Sequence, residues 1–170
     1  MSDHRVGLGY DIHRLFPGHV LVLGGVVVPA DVGFDTHSDG DVLSHALVDA
    51  MAGAVADGDL GTHFPEDDPA AEDARSLDFV AEFNATLAGH GYRVTSLDSF
   101  VTLGTVRLRP HLDAMRDNIA TALGLEPGRV SVKARSADGI GPEGQGEAAS
   151  ATAVVLVQKT GPTSTVGVDL

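Results

Sequence analysis

Three side chains in the first third of the chain have the chemistry of metal ligands. Asp11 and His13 stand two residues apart in the segment Val6 to His13, where Val6, Leu8, Tyr10 and Ile12 alternate with Gly7, Gly9, Asp11 and His13. A period of two is that of a half-buried strand, so the carboxylate and the imidazole share a face, which the two glycines are expected to leave open. Alone, an Asp-x-His pair is better read as a surface hydrogen bond. The polar cluster His37-Ser-Asp-Gly-Asp41 followed by His45 adds weight to the functional reading. It leads into a helix whose first turn can receive a phosphate while His45 faces an ion. Two imidazoles and one carboxylate leave a fourth position open on a tetrahedral ion, the arrangement of a catalytic zinc site, and an open site can polarise a phosphoryl oxygen. Asp49, one turn beyond His45, is placed to orient that imidazole or to contact a ligand hydroxyl. Asp59 is a candidate acceptor for sugar hydroxyls.

The elements that must position these groups follow from periodicity. Val20 to Leu23 and Val26 to Val28 flank Gly24-Gly25, a hairpin signal. Apolar positions from Leu43 to Ala54 recur at helical spacing, predicting a helix over 42–56 capped by Ser38, Asp39 or Asp41. A second helix is expected from about Ser76 to Ala88, and a strand from Tyr92 to about Leu103. A third helix should begin at Pro110 and end at Gly124. Strands are expected from Val130 to Ala134 and from Ala151 to Val157, separated by a glycine-rich loop, Gly139 to Gly146. Mixed strands and helices without strict alternation indicate an α+β fold, one small domain over 1–160 with helices packed on one face of a mixed or antiparallel sheet. Residues 161–170 read as a loose tail.

Composition narrows the functions. With 170 residues, 43 % of them apolar, the chain has enough material for a single core. Its 24 acidic against 11 basic residues give a net charge of -13, which argues against a nucleic-acid partner. A phosphorylated ligand must then be held by bound cations or by the few basic side chains, which gather at Arg107, Arg109, Lys133 and Arg135. The absence of cysteine leaves the eight histidines as the soft ligands. No apolar stretch suits a bilayer span, and the N-terminus lacks the regions of a signal peptide, so the expectation is a cytoplasmic protein without a membrane partner. Gly139-Ile-Gly-Pro-Glu-Gly144 matches GxGxxG literally, but it leads towards an apolar strand near the C-terminus and not into a dinucleotide-binding helix.

The order Gly-Tyr-Asp11-Ile-His13, His37-Ser-Asp-Gly-Asp-Val-Leu-Ser-His45, Gly58-Asp-Leu-Gly61 and Phe64-Pro65 resembles the 2-C-methyl-D-erythritol 2,4-cyclodiphosphate synthase family of non-mevalonate isoprenoid biosynthesis. The similarity continues in spacing through Pro110-His111, Val132-Lys133 and Gly144-x-Gly-Glu147. The resemblance implies a homotrimer with active sites between subunits, and zinc on Asp11, His13 and His45. It also implies a magnesium or manganese ion held with the help of Asp138. The implied reaction is a metal-dependent cyclisation of a cytidine-diphospho-methylerythritol 2-phosphate with release of CMP, a phosphorus-oxygen lyase activity. His37 and Ser136 correspond to transition-state stabilisers. Ser38, Asp49, Asp59, Gly61, Phe64 and Asp68 fall on substrate-binding positions, as do Asp11 and His13 through the metal, and residues 103 to 109, including Arg107, match a cytidine-binding segment. The chain departs from the family where phosphates and nucleotide should bind. Arg135-Ser136-Ala137 replaces a threonine run, Val106-Arg107 a Pro-Lys pair, and Gln145 a phosphate-binding arginine whose charge Arg135 can supply. Two further readings therefore stay open: a paralogue acting on another nucleotide diphosphate, and a non-catalytic trimeric binding protein.

Overall fold

The computed structural model describes residues 3–65 and 74–160. Asp68 and the 161–170 tail lie outside the described residues. Five strands form one sheet in the order β4-β1-β7-β5-β6. These are β1 (His4–Pro17), β4 (Val32–Phe34), β5 (Tyr92–Thr102), β6 (Val130–Arg135) and β7 (Ala148–Lys159). β5 and β6 run parallel and the other pairs antiparallel. The short hairpin β2 (Leu21–Leu23) and β3 (Val26–Val28) stands apart, turning through Gly24 and Gly25, both with positive φ as a primed two-residue turn requires. Helices α1 (Val42–Val55), α3 (Ser76–Gly89) and α4 (Leu112–Leu123) cover one sheet face and bury Leu43, Met51, Phe83, Met115 and Ile119 with Val101 and Val155. The expected α+β architecture is present.

The alternation in β1 is present as well, with its two faces used in the opposite sense to the simple reading. The Gly7 and Gly9 face is closed, because α1 lies directly on it. A Cβ on Gly9 would stand 2.0 Å from the Ala46 carbonyl oxygen, and one on Gly7 only 1.7 Å from that of Ala50. Ala46, Ala50 and Ala54, one turn apart along α1, supply the matching small surface. The apolar alternates are instead open: Val6 is 64 % exposed, Leu8 68 %, Tyr10 53 % and Ile12 40 %, beside Val154 on β7. Glycine at 7 and 9 is thus a matter of close approach between helix and strand, not of ligand access.

Asp41 is the residue that caps α1. Its fully buried carboxylate accepts from Leu43 N-H and Ser44 N-H through Oδ1 and from Ser44 Oγ and Gly25 N-H through Oδ2, which ties the hairpin turn to the helix start. Burial pushes this carboxyl up, and the bonds from Gly25 and Ser44 work against that shift.

Three local features differ from the periodicity reading. Leu60–His63 forms a short helix, α2, capped by Asp59. Pro110 sits inside a 3₁₀ turn, Arg109–His111, so α4 proper begins two residues later. The Gly139 to Gly146 stretch is a 3₁₀ turn followed by the five-residue helix α5 (Gly141–Gln145), and not a loop. Its glycines allow packing: a Cβ on Gly104 would meet the Gly144 carbonyl at 2.5 Å.

Gly9→Val should lower unfolding free energy by about 1–3 kcal/mol in denaturant titration, the usual cost of overpacking, because α1 must retreat from β1. An unchanged midpoint would show that the helix is not held against this strand.

Candidate metal centre

Two constraints bring the three side chains together. Strand alternation turns Asp11 and His13 toward α1, and the close approach at Gly9 brings the first turn of that helix, with His45, over them. One ligand atom from each lies within 4.8 Å of the others. His45 Nδ1 is 3.0 Å and His13 Nε2 3.3 Å from the same Asp11 oxygen, Oδ2. Asp11 and His13 are about one-fifth exposed, whereas His45 is buried.

The outward nitrogens decide what the inward ones can do. His13 Nδ1 lies 3.0 Å from the Gly40 carbonyl, which can only accept, so this nitrogen carries the hydrogen. On the neutral ring Nε2 is then a lone pair directed at Asp11. His45 Nε2 lies 2.9 Å from Ser76 Oγ. Burial pushes the Asp11 carboxyl up, and the hydrogen bond with His45 together with the charges of His13 and His45 outweighs it, holding Asp11 below the ordinary carboxylate value. The arrangement therefore calls for positive charge between the rings, from a proton or from a metal. The donor set, two nitrogens and one oxygen, fits zinc with an open fourth position.

A cleft of about 230 Å³ opens over this triad. His37 and Ser38 line it, as do Gly61 and Phe64 beyond α1, so four further sequence-predicted residues share the cleft with Asp11, His13 and His45 within one chain. Thr36, Leu60 and Phe79 also line it and were not singled out by sequence reasoning. Phe79 stacks on Phe64 with centroids 4.5 Å apart, a pairing of distant residues that no local pattern announces.

One positioning expectation is corrected. Asp49 does not orient His45; its Oδ1 accepts from Leu60 N-H at 2.7 Å and anchors α2 at the cleft wall. The side chain that holds His45 is Ser76, 31 residues away at the start of α3. Ser76 is fully buried and was read from sequence only as the beginning of a helix. Asp59 is turned to its own helix, accepting from Thr62 N-H at 2.9 Å and Thr62 Oγ1 at 2.7 Å, and these bonds hold its carboxyl low.

The remaining candidates form a separate group. Arg107 lines a groove made by Leu103 to Arg109 together with Ala134, Arg135 and Ser136, and this groove shares no residue with the metal cleft. Arg135 stacks its guanidinium over Phe100 at 5.1 Å, and Ser136 Oγ lies 3.4 Å from Asp138 Oδ1. Ala137 and Asp138 both have positive φ, an unfavourable backbone state for residues with a Cβ. Gln145 is exposed on α5. Along the sheet, Asp11 pairs with Ala151, Ala151 with Val101, and Val101 with Ala134. Three strand spacings, about 14 Å, thus separate the two groups in one chain.

Comparison with known proteins identifies relatives over most of the chain. The YgbB family model matches residues 4–158. The 2-C-methyl-D-erythritol 2,4-cyclodiphosphate synthase of Moorella thermoacetica is 49 % identical over 153 residues, covering 90 % of this chain and 94 % of that protein. Among solved structures, the bifunctional IspDF from Campylobacter jejuni superposes with a TM-score of 0.89 at 30 % identity, over 94 % of this chain and 43 % of that one. A CDP-bound 2C-methyl-D-erythritol-2,4-cyclodiphosphate synthase superposes with a TM-score of 0.83 at 34 % identity, over 90 % of this chain and 99 % of that one. With a family match over residues 4–158 and 49 % identity to a relative covered almost end to end, the chain belongs to the YgbB family, that of the 2-C-methyl-D-erythritol 2,4-cyclodiphosphate synthases.

Proposed function

We propose that this chain is a zinc-dependent cyclase. It converts 4-diphosphocytidyl-2-C-methyl-D-erythritol 2-phosphate to 2-C-methyl-D-erythritol 2,4-cyclodiphosphate and CMP in the cytoplasm. The observation that carries the reading is the convergence of His13 Nε2 and His45 Nδ1 on one Asp11 oxygen, with both outward nitrogens already engaged. In the reaction an oxygen of the 2-phosphate bonds to the β-phosphorus. The bond from that phosphorus to the bridging oxygen breaks, and CMP departs with the bridging oxygen. No enzyme nucleophile is needed; positioning and charge neutralisation suffice.

Zinc on Asp11, His13 and His45 would supply Lewis acidity toward the β-phosphate, and a magnesium or manganese ion near Asp138 would neutralise the diphosphate. The chain itself orients the substrate. His37, exposed at the cleft mouth, and Ser38 offer hydrogen-bond donors to the phosphate undergoing attack. The wall at Leu60, Gly61, Phe64 and Phe79 receives the methylerythritol unit and limits water.

The cytidine contacts are assigned to the 103–109 groove with Arg107, Arg135 and Ser136, and Gln145 follows on α5. Adjacent phosphates of one diphosphate cannot span about 14 Å of sheet. The metal half of one chain is therefore completed by the nucleotide half of a neighbour in a homotrimer. The exposed Val6, Leu8, Tyr10 and Ile12 face supports such an assembly, since a row of large apolar side chains on a sheet face is costly in water.

Three measurements test this reading. Phosphorus NMR of the chain with the cytidine substrate, zinc and magnesium should show equimolar CMP and cyclic diphosphate; no product at high enzyme concentration would sink the substrate assignment. Asp11→Ala and His45→Ala should each lose bound zinc in elemental analysis, and unchanged content would refute these ligands. Leu8→Glu should shift the trimer toward monomer in analytical ultracentrifugation, with activity lost in parallel; a monomeric parent chain would refute the shared site.

A further inference from the structure

Ser76 and Asp39 sit behind His45 in an arrangement that sets the direction of each hydrogen bond. Asp39 Oδ1 lies 2.5 Å from Ser76 Oγ, 3.1 Å from Ser76 N and 3.3 Å from Asp41 N. A carboxylate only accepts, and 2.5 Å is in the range of an O-H to O⁻ bond, so the Ser76 hydroxyl hydrogen points at Asp39. The more distant Ser38 Oγ, at 3.3 Å, is a neutral and weaker competitor. What Ser76 Oγ presents to His45 at 2.9 Å is then a lone pair, and the His45 nitrogen facing it, Nε2, must be the N-H. That leaves Nδ1, 3.0 Å from Asp11, as the nitrogen able to bind an ion.

We infer that Asp39 and Ser76 form a positioning relay, carboxylate to hydroxyl to imidazole, that selects Nδ1 of His45 as a metal ligand and stiffens that ring. The inference rests on the metal reading of Asp11, His13 and His45. Ser76 touches neither ion nor substrate, so it acts only through His45. The relay also crosses the fold. Asp39 belongs to the polar turn before α1, Ser76 is the first residue of α3, and Asp39 receives the Ser76 N-H that α3 would otherwise leave without a partner. The same two residues that place the imidazole therefore join the starts of two helices, and ordering of the α3 start is coupled to ordering of the centre. Partners of this kind raise ligand basicity and hold the ring in its binding orientation, and their loss weakens metal binding by about 10–100-fold.

The test measures zinc affinity by competition with a chromophoric chelator, using the full chain, Ser76→Ala and Asp39→Asn. Ser76→Ala should bind zinc about 10–100-fold more weakly, and Asp39→Asn should fall between it and the parent chain, because the hydroxyl loses its charged anchor but stays in place. Thermal unfolding of the metal-free forms separates this from general damage, since a purely structural role lowers the midpoint and leaves the zinc affinity of the folded protein intact. Equal zinc affinity in the parent chain and Ser76→Ala overturns the relay. Should Ser76→Ala not fold, nitrogen-15 histidine spectra of the zinc-loaded parent chain decide. A His45 Nε2-H protected from solvent exchange, and less protected in Asp39→Asn, supports the relay. Exchange as fast as at an exposed histidine ring overturns it. A parent chain that binds no zinc removes the metal reading itself, an outcome distinct from zinc binding that ignores Ser76.

Discussion

The close contact between α1 and β1 is the constraint on which the rest depends. Gly7 and Gly9 let the helix backbone approach the strand until a methyl group would no longer fit, and Ala46, Ala50 and Ala54 answer with small side chains. His45 is one residue from Ala46, so the same approach that packs the core also sets the height of an imidazole above Asp11 and His13. Interior packing is dense and transmits displacements of a few tenths of an ångström, which makes this contact a ruler for the site. Asp41 fixes the other coordinate by holding the start of α1 to the hairpin turn at Gly25.

Around that ruler the polar groups are matched with little left over. Among the described residues no buried side-chain nitrogen or oxygen lacks a partner. The two imidazoles spend their outward nitrogens on Gly40 and Ser76, and the inward pair confronts a single carboxylate oxygen. Saturation outside and surplus acceptors inside are what a cation site requires, because neutral rings facing a carboxylate repel without a positive charge between them. In a chain with a net charge of -13 this local demand for a cation is also how a phosphorylated ligand can be tolerated.

The sheet organises the two halves of the site at different distances. Asp11 and His13 on β1 and His45 on the covering helix lie within a few ångströms of one another, whereas Arg135 and Ser136 sit three strands across at the end of β6. The residues that the sequence reading set apart as departures, Val106-Arg107, Arg135 to Ala137 and Gln145, all lie away from the metal cleft. The guanidinium of Arg135 rests on Phe100, and Gln145 is exposed. Asp11, His13 and His45 meanwhile stand together in one cluster.

Much of this was readable from the residues alone. The alternation from Val6 to His13 places Asp11 and His13 on one face, the spacing from Leu43 to Ala54 makes a helix with His45 in its first turn, and Gly24-Gly25 makes the hairpin, all because local sterics and burial impose periods of two and 3.6. Periodicity states which side chains share a face; it does not state what covers that face. Only the tertiary structure showed that α1 closes the glycine face of β1 and leaves Val6, Leu8, Tyr10 and Ile12 open. Only it turned Asp49 toward Leu60 and brought Ser76 behind His45 across 31 residues. Hydrogen-bond direction is a property of two groups in space. The three side chains of the cluster were therefore written in the chain, and the partner that each imidazole's outward nitrogen meets was decided by the fold.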